Sequence, residues 1–278
     1  MRPVEPAAPV DDSADAVDAS HVAALAGYVR VVGAMAEVEF HRVRRDPMVI
    51  VTRAAQPLLW LLVFGAGLSR VNELRPPRFS YQAFIVPGVI AQSVLFVAIF
   101  SGISVIWERD LGVAQRVVVA PVARSAIILG KSLGAGVRAL AQVSLVLVVV
   151  AIVRIELRWT VGSVFGALIV SLLGAVLFSS ISIVIATAVR SREQFMGLGQ
   201  LITLPLFFAS NALYPVKIMP SWLQTATWAN PLTYEVEALR RLLLGAGPDR
   251  VLQDIAMLVA GIAIFVAIAA RTYPRRVM

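Results

Sequence analysis

Six stretches of this chain stay apolar for long enough to cross a bilayer, and polar or basic residues punctuate them. They run at about 49–68, 83–106, 137–153, 161–189, 196–213 and 251–270. At ~1.5 Å per helical residue, about 20 residues cover the ~30 Å hydrocarbon layer. The pattern predicts an all-α polytopic membrane protein with six transmembrane helices. Asp46-Pro47 opens the first span as a cap followed by proline at the first helical position. Pro57 and Pro205 fall inside the first and fifth spans, where a missing backbone donor bends a helix.

Two segments outside the spans carry helical patterns of their own. Across residues 22–45, Arg30, Glu37, His41 and Arg44 share one face, while Tyr28, Val31, Val32, Met35 and Val38 favour the opposite half. That is an amphipathic helix suited to the membrane surface. Glu39 and Arg42 intrude on its apolar side, spaced so that they can pair. Between spans five and six, two short helices are predicted at the outer membrane surface or dipping into it, near Ser221–Trp228 and Pro231–Leu244. Asn230 caps the second, Pro231 begins it, and Gly245 and Gly247 end it. Leu232, Val236, Leu239 and Leu243 form its apolar face, and Glu237 can pair with Arg241 one turn on.

Residues 1–20 are rich in Ala, Pro and Asp. They lack the basic start and apolar core of a secretory signal and read as a disordered cytoplasmic tail, leaving 21–278 as one transmembrane domain. The fourth span carries Ala167, Ser171, Ala175 and Ser179 at four-residue spacing beside Gly166 and Gly174. Such a ridge lets another helix approach closely, from within the chain or from a second subunit.

Composition narrows the function. The chain is 59% hydrophobic and 15% charged, against about 25% charged in soluble proteins. Its net charge of +8 flanks the apolar runs instead of forming a basic stripe, which points to a lipid bilayer and not to nucleic acid. With six crossings, sixteen Lys and Arg fall on the side of the termini and nine on the other. The positive-inside rule then makes both termini cytoplasmic in a multi-pass plasma (inner) membrane protein.

Chemistry is scarce. Cysteine is absent, and His21 and His41 are not at metal-ligand spacing, so neither a metal site nor a catalytic residue is expected. The middles of the six spans lack ionisable residues, which ion-coupled carriers usually place within the bilayer. Glu108, Asp110, Glu193, Glu235 and Glu237 fall near predicted membrane surfaces and read as solvated or ion-paired. Ser125–Ser132 ends like a phosphate-binding loop, but Ser125 stands where its first glycine is required. If ATP is involved, another polypeptide binds it.

Two regions resemble the membrane subunit of type-2 ABC exporters, particularly the daunorubicin-resistance-like permeases. One runs from Glu108 to Lys131. The other comprises Tyr214-Pro215, Met219 to Leu223, Asn230 to Tyr234 and Ala238 to Arg240. Gln115 and Ala120 depart from the family pattern. The resemblance covers about residues 25–275 and implies a permease that pairs with two ATP-binding subunits and with a second permease chain, identical or paralogous. ATP and Mg would sit on the partner subunit, and this chain would have no catalysis of its own. It also implies a coupling loop with candidates Glu108, Arg109, Gly112, Arg116, Pro121 and Arg124. Pro215, Pro220, Trp222, Asn230, Pro231 and Tyr234 would mark an extracellular gate. Efflux of a hydrophobic drug-like or lipid-like substrate is the leading expectation. Export of a polysaccharide or lipid-linked glycan, an ion-coupled secondary carrier or channel, and a membrane enzyme or scaffold remain alternatives.

Overall fold

A computed structural model describes residues 12–67, 79–112, 123–245 and 247–277. Among the described residues there are ten α-helices and no strand. They are α1 (Asp12–Arg45), α2 (Pro47–Gly67), α3 (Tyr81–Ser101), α4 (Ile103–Asp110), α5 (Arg124–Ile152) and α6 (Val161–Ala188). There follow α7 (Arg192–Phe208), α8 (Ser221–Ala229), α9 (Pro231–Leu244) and α10 (Val251–Val277). Five helical stretches are long and apolar enough to cross a membrane: α2, α3 continued through α4, α5, α6 and α10. The side that carries α1 and α4 is called proximal below, and the side of the α5–α6 turn distal.

Three expected boundaries move. Helix α1 begins at Asp12, so residues 12–20 of the expected disordered tail are helical; residues 1–11 lie outside the described residues. The alanines among residues 12–20 favour helix by propensity. The third span, expected from 137, belongs to a helix that starts at Arg124, because the glycines between 124 and 137 fit helix–helix contacts. The fifth, expected over 196–213, is α7, which stops at Phe208 after 17 residues. That is about 26 Å, short of a full crossing by itself. Pro205 removes a helical donor near its end, and the chain turns at Ala209–Ser210.

Helix α6 is the axis of the fold, packed by α3, α5, α9 and α10. The small-residue ridge makes this possible: Ala167, Ser171, Ala175 and Ser179 are buried within the chain. Serines add polar rungs where backbones are close. Ser179 Oγ lies 2.8 Å from Ser101 Oγ, Ser180 Oγ 3.2 Å from Ser132 Oγ, and Gly102 N–H donates to Ser182 Oγ at 3.1 Å. These paired hydroxyls find partners that lipid could not offer, whereas Ser171 Oγ is buried without one.

Helix α1 docks on the proximal part of α5. A Cβ on Gly130 would stand 2.5 Å from Met35 Sδ, and one on Gly134 2.8 Å from Glu39 Cγ. Glu39 accepts from Arg42 at 2.9 Å, the predicted pair, and also meets Arg138 of α5. The charge that breaks the apolar face of α1 thus fastens it to the bundle.

Candidate functional site

On the proximal side, α4 is bound to the corner between α6 and α7. Arg109 donates from Nη1 to Val189 O and from Nη2 to Arg190 O, each at 2.9 Å. These carbonyls follow the C-terminal end of α6, where a cation complements the helix dipole. Asp110 accepts from Arg192 at 3.1 Å, and the Arg192 guanidinium lies 3.6 Å from the centre of the Trp107 ring. Glu108 takes both of its hydrogen bonds from Lys131 of α5. Glu108 and Arg109 therefore clamp helices together within the chain. Gly112 adopts a left-handed φ of +69° just past α4, and Arg124 starts α5 exposed. Arg116 and Pro121 lie outside the described residues. Ser125–Ser132, the segment that ends like a phosphate loop, is helical throughout.

On the distal side the two predicted short helices are present. Asn230 joins three elements: its Oδ1 accepts from Leu232 N–H at 3.0 Å, capping α9, and its Nδ2 donates to Leu206 O of α7 at 2.6 Å. Pro231 is the first residue of α9, and Gly245 ends it with φ +70°. Tyr234 donates to Trp228 O at 2.8 Å, closing the hairpin between α8 and α9. Pro215 leads into a 3-10 turn over residues 216–218, Pro220 precedes α8, and Trp222 is 71% exposed. Asn230, Pro231 and Tyr234 are thus brought together, while Pro215, Pro220 and Trp222 occupy the outer arm.

Of the two placements expected for this helix, surface or dipping inward, α9 takes the second. Leu232, Val236, Leu239 and Leu243 are fully buried, and the helix lies against α3, α6 and α10. Leu242 covers Gly166 near the distal start of α6, and Glu235 covers Gly174. Gly174 is about 20 Å along the ~42 Å axis of α6. The hairpin thus carries its tip to mid-bundle depth, and a carboxyl with it. Glu235 has no exposed surface and both of its oxygens are without a hydrogen-bond partner. Burial pushes this carboxyl well above its ordinary range.

Half a turn on, the other charges of α9 are paired. Glu237 accepts from Asn211 Nδ2 and from Arg240 at 2.9 Å; Arg240 donates to Asn211 O at 2.7 Å and lies 4.2 Å from the Phe84 ring centre. Arg241 bridges Glu237 at 3.6 Å, as predicted, and Asp254 of α10 at 3.4 Å. Sequence reasoning placed Glu235 among solvated or ion-paired surface carboxylates, and the structure corrects this. The signal was available: 235 is three residues after Leu232 and four before Leu239, on the apolar face by helical period. Among the described residues no three His, Asp or Glu side chains gather in a metal-binding group.

Residues 30–244 match the ABC-2 type transporter family. The chain belongs to that family. Among ABC-2 relatives, ycf38 of Cyanophora paradoxa, a transport permease by name, is 30% identical over 212 residues, 73% of this chain and 70% of the relative. Nodulation protein J of Rhizobium leguminosarum bv. trifolii is 30% identical over 206 residues, 73% and 77% of the two chains. The daunorubicin resistance ABC transporter permease protein DrrB1 of Streptomyces coeruleorubidus is 24% identical over 233 residues, covering 82% and 80%. This ABC-2 chain is therefore an ABC transporter membrane subunit, and its family pairs with an ATP-binding subunit. The matched region ends at the last residue of α9, so the α8–α9 hairpin belongs to the family domain.

Proposed function

We propose that this chain is the permease of an ATP-driven exporter, moving a hydrophobic drug-like or lipid-like substrate out of the cytoplasm or its facing leaflet. Its proximal side faces the cytoplasm of a cell whose plasma membrane it crosses, with both termini inside. ATP and Mg are bound and hydrolysed on two copies of a separate subunit, and a second permease chain completes the pathway. The observation that carries this reading is the continuity of α6. Its proximal end is held by Arg109, beside the loop that would dock the ATP-binding subunit, and its middle bears on α9 through Gly174 and Glu235. A push on the loop therefore has a rigid route to the distal hairpin. Met196, Leu201 and Phe208 of α7 are exposed apolar residues suited to the second permease or to lipid. The relative whose name includes daunorubicin resistance supports a drug-like substrate.

Co-purification with the cognate ATP-binding subunit is the test. Substrate should alter the ATPase rate of the complex in proteoliposomes, and changes within residues 109–124 should weaken that response. A second reading, an ion-coupled carrier, gains one observation, since Glu235 is an ionisable group at mid-bundle depth. Uptake driven by a proton gradient with no ATP-binding subunit present would favour it over export driven by ATP.

A further inference from the structure

Two adjoining cavities open on the proximal half of the bundle, sharing Ile103 at the start of α4 but none of the clamp residues Glu108 to Asp110. One, of about 340 Å³, lies between α2, α3, α5 and α7 and is lined by Gln56, Pro57, Phe96, Phe100 and Met196. Gln92 and Gln142 also face it; they are 2% and 1% exposed, and the side-chain oxygen of each has no hydrogen-bond partner. The other, of about 260 Å³, reaches the corner of α1 and α2, where Arg42 and Arg138 line it together with Asp46. Arg53 lines both. Among the described residues Arg42 and Arg138 meet Glu39, whereas no salt bridge involves Arg53.

The two cavities differ in chemistry in an ordered way. The shallow one is cationic, with three guanidiniums against Asp46 and the shared Glu39. The deep one offers aromatic and aliphatic walls and two amide oxygens that lack donors. A buried acceptor without a partner costs free energy, which a ligand donor recovers. An unpaired guanidinium in a membrane helix suits a carboxylate or phosphate, which it binds in a forked geometry. Arg53 is six residues from the proximal end of α2 and Phe100 one residue from that of α3, so the charged end of the site faces the proximal headgroup layer.

We propose that these cavities form one binding site for an anionic amphiphile. Its acid or phosphate head meets Arg53, its apolar body lies on Phe96 and Phe100, and a hydroxyl or amide N–H donates to Gln92 and Gln142. The site rests on the export reading only in making that amphiphile the cargo; as a binding site it stands on the residues alone.

The probes are lysophosphatidic acid, which has a phosphate and a free hydroxyl, and lysophosphatidylcholine of the same acyl chain. Binding is measured to the purified permease alone in nanodiscs of zwitterionic lipid. Lysophosphatidic acid should bind at least ~10-fold tighter, and Arg53→Gln should remove most of that preference. Gln142→Leu should weaken lysophosphatidic acid several-fold while leaving a dodecyl phosphate, which lacks the hydroxyl, unchanged. A photoreactive analogue should label Phe96 or Met196 in the unaltered protein, a readout that needs no variant to fold. Equal binding of the two lysolipids, or labelling confined to other helices, overturns the site. With the ATP-binding subunit added, ATP-dependent movement of the probe identifies cargo, and retention without movement identifies a bound membrane lipid. Both keep the site, and the second argues against the export reading without touching it.

Discussion

The carboxyl of Glu235 in α9 rests directly on Gly174 of α6: a Cβ at that glycine would stand 2.3 Å from the carboxyl carbon. The contact joins the helix that runs from the proximal corner to the helix that forms the distal hairpin. It also places a charge-capable group where each oxygen lacks a partner.

Gly174→Ala should therefore lower thermal stability, by about 1–3 kcal/mol as overpacking does. Glu235→Ala should restore most of the loss in the double variant, because it opens the space the methyl needs. Thermal unfolding of the purified protein in one detergent checks this. An additive double variant would mean that the two residues do not bear on one another.

The same carboxyl makes packing of the hairpin depend on pH. Burial raises Glu235 well above its ordinary value, in a helix that does not itself cross the membrane. The folded state then holds a proton that an exposed glutamate gives up. Stability is full below the ordinary glutamate range and falls as pH rises through that range towards the raised value. Burial alone raises Glu235: Glu237, Arg240 and Arg241 of α9 and Asp254 of α10 pair with one another half a turn away, and α3 and α6 carry no charged residue. Glu235→Gln should flatten the profile of unfolding temperature between pH 5 and pH 8, and should be the more stable protein at the alkaline end. Parallel profiles for the two proteins would assign the pH dependence to Asp254 and its partners.

Much of this architecture could be read from residue patterns, and what could not has a physical cause. Apolar run length located α2, α3, α6 and α10, and Asn230-Pro231 with Gly245 located α9 to the residue. Run length could not place the start of α5, because the glycines in 130–136 look like breakers until α1 is seen against Gly130 and Gly134 and α6 against Gly136. It also counted residues 209–213 as span, although they turn and are pinned by Tyr81 Oη to Leu213 O at 3.0 Å and by Arg240 to Asn211 O. Depth was the harder quantity. A hairpin that enters the bundle from the distal side carries Glu235 inward, and no hydropathy window over the spans contains it. For the candidate coupling residues, motif position singled out Glu108 and Arg109 without showing what they touch. The internal partners of Glu108 and Arg109 depend on contacts about 20 to 80 residues away, which no local pattern encodes.

Asn230 serves two helix ends with one side chain. Asn230→Ala removes both the cap of α9 and the donor to Leu206 O, and should cost about 1–3 kcal/mol. Asn230→Asp keeps the acceptor for Leu232 N–H but loses the donor to α7, so it should fall between Ala and the unaltered protein. Protease sensitivity of the segment 209–220 reads the α7 contact separately and should increase in both variants. If Asp matches Asn in both measurements, the bond to Leu206 contributes nothing.

Arg109 tests the route from loop to hairpin. Its two bonds to Val189 and Arg190 hold α4 to the end of α6, while Asp110 and Arg192 hold the same corner independently. Arg109→Ala should therefore leave the protein folded, with unfolding temperature lowered by only a few degrees. In the complex with its ATP-binding subunit, basal ATP hydrolysis should persist, and the response to transported substrate should drop several-fold. Arg109→Lys keeps the charge but reaches only one carbonyl, so it should recover part of that response. Loss of basal hydrolysis together with loss of the complex would place Arg109 at the docking surface itself. Unchanged coupling in Arg109→Ala would show that motion reaches α6 by another path, with the Asp110–Arg192 pair the next to remove.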